Sequence, residues 1–458
     1  MVCCASRVIA LVLLLAAANA FQFTAPRPGP VARRQGLVLR CAPPRLAGTP
    51  PPPASQPLDG QTIFQLGTLA FSAMLVQTAI GAVVPVLPAF AESIGLSATG
   101  VGLVISLPSV AKVLLNLPVG TLVDRWGRKG PMIIGALIDG CGSLATACSR
   151  SLGTLVPARM AVGAGSALMA TAEQAYVMDV VERYPEKTGL LLGSVQAVGM
   201  LGWAVGPAIG GILAERGGIR LPYLLIGGVL IASAGLYALL PETRQQQTTS
   251  VGVKAAAEAP LSSARTVLAD RAQQALCVSR FGLIVGWCVW LTVVPLQAAA
   301  VWGATASDLG LMYSALTLIG LGSAPVGGVL ADRFGHRRVA AAAAALGALA
   351  VASVPFARGK AAFWCSMAAW DVAESAYTAA ASAMAADVTS AELRGASNSM
   401  LNQVQDVTFG ALPLLLGALA ANVSNAAALL AAAALMLSSS VGFLLLSRGE
   451  GGAVKLKR

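Results

Sequence analysis

The chain has 458 residues, of which 56% are hydrophobic and only 11% charged, and its mean hydropathy is +0.73. Soluble domains carry about 25% charged residues, so this composition excludes an ordinary soluble fold. The net charge of +11 is spread over short loops and the N-terminal leader rather than gathered on one face, which argues against a nucleic-acid partner.

In chain order, residues 1–20 read as a signal peptide: Arg7, an apolar run over 8–17, then the small-residue cleavage pattern Ala18-Asn19-Ala20. Residues 21–58 hold five arginines, many prolines and no acid, the composition of a disordered, transit-peptide-like segment. A signal peptide followed by Phe21 and a basic segment resembles the bipartite plastid leader of algae with secondary plastids. The alternative is a plain secretory signal with a Pro-rich linker, which implies a plasma-membrane or endomembrane address.

Twelve spans follow, at about 63–90, 101–123, 131–149, 154–181, 189–214, 221–240, 276–302, 308–331, 338–357, 361–386, 396–421 and 425–447. Each is long enough to cross a bilayer as a helix. They are rich in Ala, Leu and Gly and do not alternate as barrel strands do. The fold class is therefore an all-α polytopic membrane protein. It has an N-terminal six-helix bundle (62–241), a polar connector (242–274), a C-terminal six-helix bundle (275–447) and a basic tail (448–458). The loops after even-numbered spans, the connector and the tail hold seventeen Lys and Arg, against five on the opposite side. That excess places the former set inside. The eight cysteines show no metal-type or disulfide spacing and read as small core residues.

The halves repeat. Gly120-Thr-Leu-Val-Asp124-Arg125-Trp-Gly127-Arg128-Lys129 returns about 200 residues later as Gly328-Val-Leu-Ala-Asp332-Arg333-Phe-Gly335-His336. Val83-Val84-Pro85 in span one matches Val293-Val294-Pro295 in span seven. Ala172-Glu173-Gln174-Ala175-Tyr176 in span four matches Ala373-Glu374-Ser375-Ala376-Tyr377 in span ten. A parallel six-plus-six repeat is the layout of a rocking transporter with its substrate site between the halves.

These residues resemble the major facilitator superfamily over about residues 62–447. The first Asp-Arg turn resembles its G-x-L-a-D-R-x-G-R-K signature, with Val123 where Ala is usual, and the second copy is looser. Leu155, Arg159, Gly163 and Gly165 of span four are similar to its L-x-x-x-R-x-x-Q-G-x-G motif, with Val162 in place of Gln. Gly202, Gly206, Pro207, Gly210 and Gly211 of span five resemble the G-x-x-x-G-P-x-x-G-G signature of the proton-coupled drug-exporter branch. Span eleven has no such copy, as that branch implies.

The resemblance implies that the turn around Asp124, with Arg125 and Arg128, latches the inner face. Retention of the loop inside by its basic residues explains Arg128 and Lys129 equally well, but not an acid at the same place in both turns. The glycines and proline of span five imply a kinked, closely packed helix at the seam between halves. Ionisable groups inside spans are functional suspects. Glu173 and Glu374 occupy matching places, Asp371 shares a helix face with Glu374, and Tyr176 and Tyr377 stand one turn beyond each Glu as hydrogen-bond neighbours. Burial disfavours the charged form of a carboxylate, which is the physical requirement for proton exchange near neutral pH. The bland alternative is a structural pair, such as Glu173 with Arg159. Arg159 itself could assist proton release or bind an anion. On span eleven, Asn398, Asn402 and Gln405 form one stripe and Asn402 with Asp406 another, readable as cavity lining or as polar glue. His336 reads as loop solvation, and Asp139, Asp179 and Asp387 receive no chemistry.

No nucleotide loop, catalytic set or metal cluster appears, so neither an enzyme nor a cofactor is expected. The expectation is a monomeric secondary transporter in a lipid bilayer, moving a small-molecule solute by alternating access. Proton-coupled export or antiport in a plastid (chloroplast) envelope is the leading reading. A facilitator or symporter of a plastid metabolite, or a non-transporting sensor or assembly factor, is the alternative.

Overall fold

The computed structural model describes residues 57–243, 269–389 and 394–447. The signal peptide (1–20), nearly all of the transit-like segment (21–58), most of the connector and the basic tail (448–458) lie outside the described residues.

The described chain is helical. Span one is Gly60–Ser93, span two Ala98–Trp126, span three Lys129–Cys148, span four Leu152–Val181, span five Thr188–Gly217 and span six Leu221–Ala238. Span seven is Arg271–Trp302, span eight Ala306–Phe334, span nine His336–Ser353, span ten Lys360–Val388, span eleven Arg394–Asn422 and span twelve Asn425–Leu446. Eleven of these twelve are long and apolar enough to cross a membrane along all or part of their length. The exception is span ten, whose 29 residues include Asp371 and Glu374. It is held in place by packing against spans eight and nine.

The repeated Val-Val-Pro segments differ in geometry. In span one the α-helix stops at Val83, and Val84–Val86 form a 3-10 turn before helix resumes at Leu87. In span seven Pro295 sits within one continuous helix of 32 residues.

Within each half the packing repeats. Span three lies against spans four and six, and span nine against spans ten and twelve. The halves meet along two seams, span two with span eleven and span five with span eight. Glycine makes both seams possible. Within the first half, a Cβ on Gly202, Gly206 or Gly210 would overlap the carbonyl oxygens of Met74, Thr78 and Ala82, so span five also packs closely on span one. Gly211 meets the Ala306 carbonyl and Gly310 the Pro207 carbonyl, while Gly102 meets Pro413 and Gly417 meets Ala98. These contacts lie toward the end opposite the Asp-Arg turns. The turn-bearing end is called inner below, and the opposite end outer. One polar contact reinforces the outer seam, Ser307 N donating to Glu215 Oε1 at 3.2 Å, and within the second half Lys360 Nζ pairs with Asp308 Oδ1 at 2.5 Å. Nearer the inner end, a side chain added at Gly193, Gly322 or Gly328 meets nothing within 4 Å.

Candidate functional site

Both inner turns use the same device. Each ends a helix at a glycine with φ of +92°, Gly127 and Gly335, a conformation that side chains rarely adopt. The residue after each glycine then reaches two carboxylates. Arg128 bonds Asp124 at 3.0 Å, Asp179 at 3.2 Å and the Val123 carbonyl at 3.1 Å. His336 contacts Asp387 at 2.9 Å and Asp332 at 3.4 Å. Sequence reasoning gave Asp179, Asp387 and His336 no part; they complete matched clusters. The turn residues Arg128 and His336 fall at corresponding places in the repeat, whereas Asp179 and Asp387 do not share the register of Glu173 and Glu374. Glu242, assigned to the connector, accepts from the backbone N–H groups of Arg128 (2.9 Å) and Lys129 (3.1 Å). Asp124 bonds Arg128 of its own half, and its side chain is 75% exposed. The outer seams, by contrast, are closed by glycine contacts.

A cavity of about 380 Å³ lies at the inner end of the second half, between spans seven, ten and eleven. Arg280, Tyr377, Thr378, Asn398 and Asn402 supply polar groups to its wall. Arg280 Nη2 donates to Gln405 Oε1 at 2.5 Å, which brings Gln405 into the same group. Glu374 stands behind this wall, with Thr378 Oγ1 donating to it at 3.0 Å and the Trp287 indole beside it. Asp371 is one turn away, buried against span eight, and its Oδ2 has no hydrogen-bond partner.

Beyond Glu374 lies an aromatic cluster. Trp287 packs on Trp290 (centroids 5.2 Å apart) and Trp370 (5.6 Å), and Trp203 of span five reaches across from the first half to Trp287 at 6.1 Å. Tyr313 lies 3.9 Å from Trp290 and donates to its carbonyl oxygen at 2.9 Å. Neither this cluster nor Arg280 was singled out from sequence.

The remaining expected groups are distributed as follows. Neither tyrosine bonds its neighbouring Glu. Tyr176 accepts from Gln65 Nε2 at 3.1 Å and donates to the Pro241 carbonyl at 2.9 Å, tying together spans one, four and the end of span six. Tyr377 bonds Ser279 of span seven. Each Tyr ring is long enough to find a partner on another helix, and a bond across helices satisfies its buried hydroxyl. Glu173 lies toward Tyr237 of span six, within the first half. It does not pair with Arg159, whose Nε donates to the Val104 carbonyl at 3.0 Å. Gln174 is exposed. The stripe on span eleven divides: Asn398 and Asn402 line the cavity, whereas Asp406 accepts from Lys112 (3.0 Å) and Asn116 (2.8 Å) of span two. Asp406 is therefore glue between halves. Among the described residues no group of three or more His, Cys, Asp or Glu could hold a metal ion.

Comparison with known proteins agrees with this architecture. Over 186 residues the chain is 25% identical to the quinolone resistance protein NorA of Staphylococcus aureus, covering 41% of this chain and 47% of that one. It is 27% identical over 264 residues to multidrug resistance protein 1 of Bacillus subtilis, covering 56% and 63%. The aligned stretches thus span about half the length of these curated relatives. The structure superposes on a bacterial homolog of the human lysosomal transporter Spinster, in an inward-facing and unoccupied conformation. That match has a TM-score of 0.68 at 16% identity and covers 85% of this chain and 96% of that one. The Major Facilitator Superfamily profile matches residues 69–296 and 276–457. The closed outer seams, the inner cavity and the paired Asp-Arg turns therefore belong to an integral membrane transporter fold, and the chain is a member of the Major Facilitator Superfamily.

Proposed function

We propose that this protein is a secondary active transporter that moves a small organic solute by alternating access, coupled to protons as an exporter or antiporter. The observation that carries the reading is a polar cavity at the inner end with Glu374 and Asp371 on span ten behind its wall, while the outer seams are closed. Asp371 Oδ2 is buried without a hydrogen-bond partner, and an ionisable group so placed inside a span is a functional suspect. Glu374 stands between the cavity and the tryptophan cluster that crosses the halves, so a change in its charge acts on both. Protonation of Glu374 or Asp371 then favours one facing state. The turn around Asp124 holds the inner gate when that gate closes, and release of this contact leaves Asp124 exposed, as it is in the present state. Export is the direction suggested by the resistance proteins among its relatives. The leader supports a plastid envelope as its address, and the protein acts as a monomer.

The test is flux in proteoliposomes with and without an imposed proton gradient. Uphill accumulation that collapses with the gradient is expected, and Glu374→Gln should abolish it while the protein still folds. Undiminished uphill transport by that variant would overturn the coupling role. For the address, a fusion of residues 1–58 to a fluorophore should enter plastids, and its secretion would refute that assignment.

A further inference from the structure

Away from the helix ends, three cations lie within the spans, at Lys112, Arg159 and Arg280. Lys112 holds Asp406 in a direct ion pair of 3.0 Å. Arg159 donates to a backbone carbonyl and lines neither described cavity. Arg280 differs from both. Its guanidinium is partly buried and forms part of the cavity wall. Its one hydrogen bond runs to a neutral amide oxygen, Gln405 Oε1, and its Nε is buried with no partner. No carboxylate lies within ion-pair distance of it among the described residues. Glu374 is the nearest acid that acts on it, but the bonding neighbours of Glu374 are Thr378 and Trp287. The rest of the cavity's polar wall is neutral: Tyr377, Thr378, Ser382, Ser397, Asn398 and Asn402.

A partly buried cation on a cavity wall, with no carboxylate in ion-pair contact and with an unused buried donor, is suited to receive an anion. Guanidinium is also the side chain suited to two-pronged recognition of a carboxylate or phosphate. Resting on the transport reading above, we infer that the transported solute is an organic anion whose carboxylate or phosphate is received by Arg280, with Asn398 and Asn402 oriented to its polar body. The cavity's volume of about 380 Å³ suits a small metabolite. Gln405 is a positioning residue: by accepting from Nη2 it fixes the guanidinium plane without neutralising it.

The test uses the full chain, reconstituted as wild type, Arg280→Gln and Arg280→Lys, and loaded from a deproteinised extract of algal cells. Accumulated solutes are then identified against empty vesicles. Solutes enriched by the wild type are expected to be anions at neutral pH. Arg280→Gln should lose at least about tenfold of that uptake and Arg280→Lys should retain part of it, because Lys keeps the charge but not the fork. Enrichment of cations or neutral solutes, or an unchanged anion set with Arg280→Gln, overturns the inference and leaves the transport reading standing. No enrichment by the wild type overturns the transport reading itself. Melting of the empty protein in detergent then judges Arg280 independently. Arg280→Gln should melt several degrees above the wild type, because an uncompensated charge has been removed. An equal or lower melting temperature shows that Arg280 already has its counter-charge, and overturns the inference.

Discussion

Spans four and ten carry the same Ala-Glu-x-Ala-Tyr stretch, yet the two halves employ it differently. In span four Tyr176 is fully buried and bonded on both sides, to Gln65 and Pro241, and Glu173 points at Tyr237 inside its own half. In span ten Tyr377 forms part of a cavity wall, and Glu374 sits beside Trp287 and within electrostatic reach of Arg280. On the function proposed above, the first half is scaffold at this level and the second carries the chemistry. A repeat in sequence therefore predicts where a residue stands in the fold, but its neighbours decide what it does.

The sharpest way to break that contrast is to neutralise each glutamate in turn. Glu374→Gln should lower gradient-driven flux by about a hundredfold or more, the scale of a lost proton-transfer group. Glu173→Gln should change it less than about threefold. Equal losses in vesicle assays would mean that both halves handle the proton. Stability separates the inner turns. Gly127→Ala puts a Cβ about 2.7 Å from Glu242 Oε2 in a left-handed backbone, whereas Gly335→Ala meets only the backbone strain. The first should cost about 2–4 kcal/mol and the second about 1–2, read by thermal melting in detergent. Arg128→Ala removes bonds to two carboxylates and a carbonyl from a side chain only 17% exposed, and should cost about 1–3 kcal/mol. The acids around His336 are far more exposed, so His336→Ala should cost under about 1 kcal/mol. The smallest effect should separate the tyrosines. Tyr176→Phe should lower stability by about 1–2 kcal/mol without touching solute affinity. Tyr377→Phe should raise the half-saturating solute concentration by a fewfold; identical phenotypes would erase the distinction drawn between the halves.

Most of the fold was legible because membrane helices announce themselves by length and apolar composition. Span ten is instructive. It was placed by length and Ala-rich composition like the others, yet with Asp371 and Glu374 inside it falls short of the hydropathy of the remaining eleven. The seams were legible in part. The glycines and Pro207 of span five indicated close packing, but nothing in the chain indicated that Gly102 and Gly417 would serve the opposite seam. The cavity was the least legible part. Arg280 and Gln405 are 125 residues apart, and a single arginine in an apolar run carries no signal of what it faces. The tryptophans that stack beside Glu374 come from spans five, seven and ten, so no local pattern joins them. The clusters at Asp179 and Asp387 were not legible from the repeat either: Asp179 stands six residues beyond Glu173, whereas Asp387 stands thirteen beyond Glu374, so the register of spans four and ten does not align them.

The outer seams have a bearing on bioenergetics. Where Gly102, Gly211, Gly310 and Gly417 stand, a Cβ would overlap the main chain of the opposite half, so no side chain intervenes there. A carrier that exploits an ion gradient dissipates that gradient if its closed end conducts even slowly. On the coupled transport proposed above, the four glycines would act as an electrical seal as well as a packing device. Enlarging any one of them should appear first as a passive proton leak in vesicles, before transport of the solute is lost.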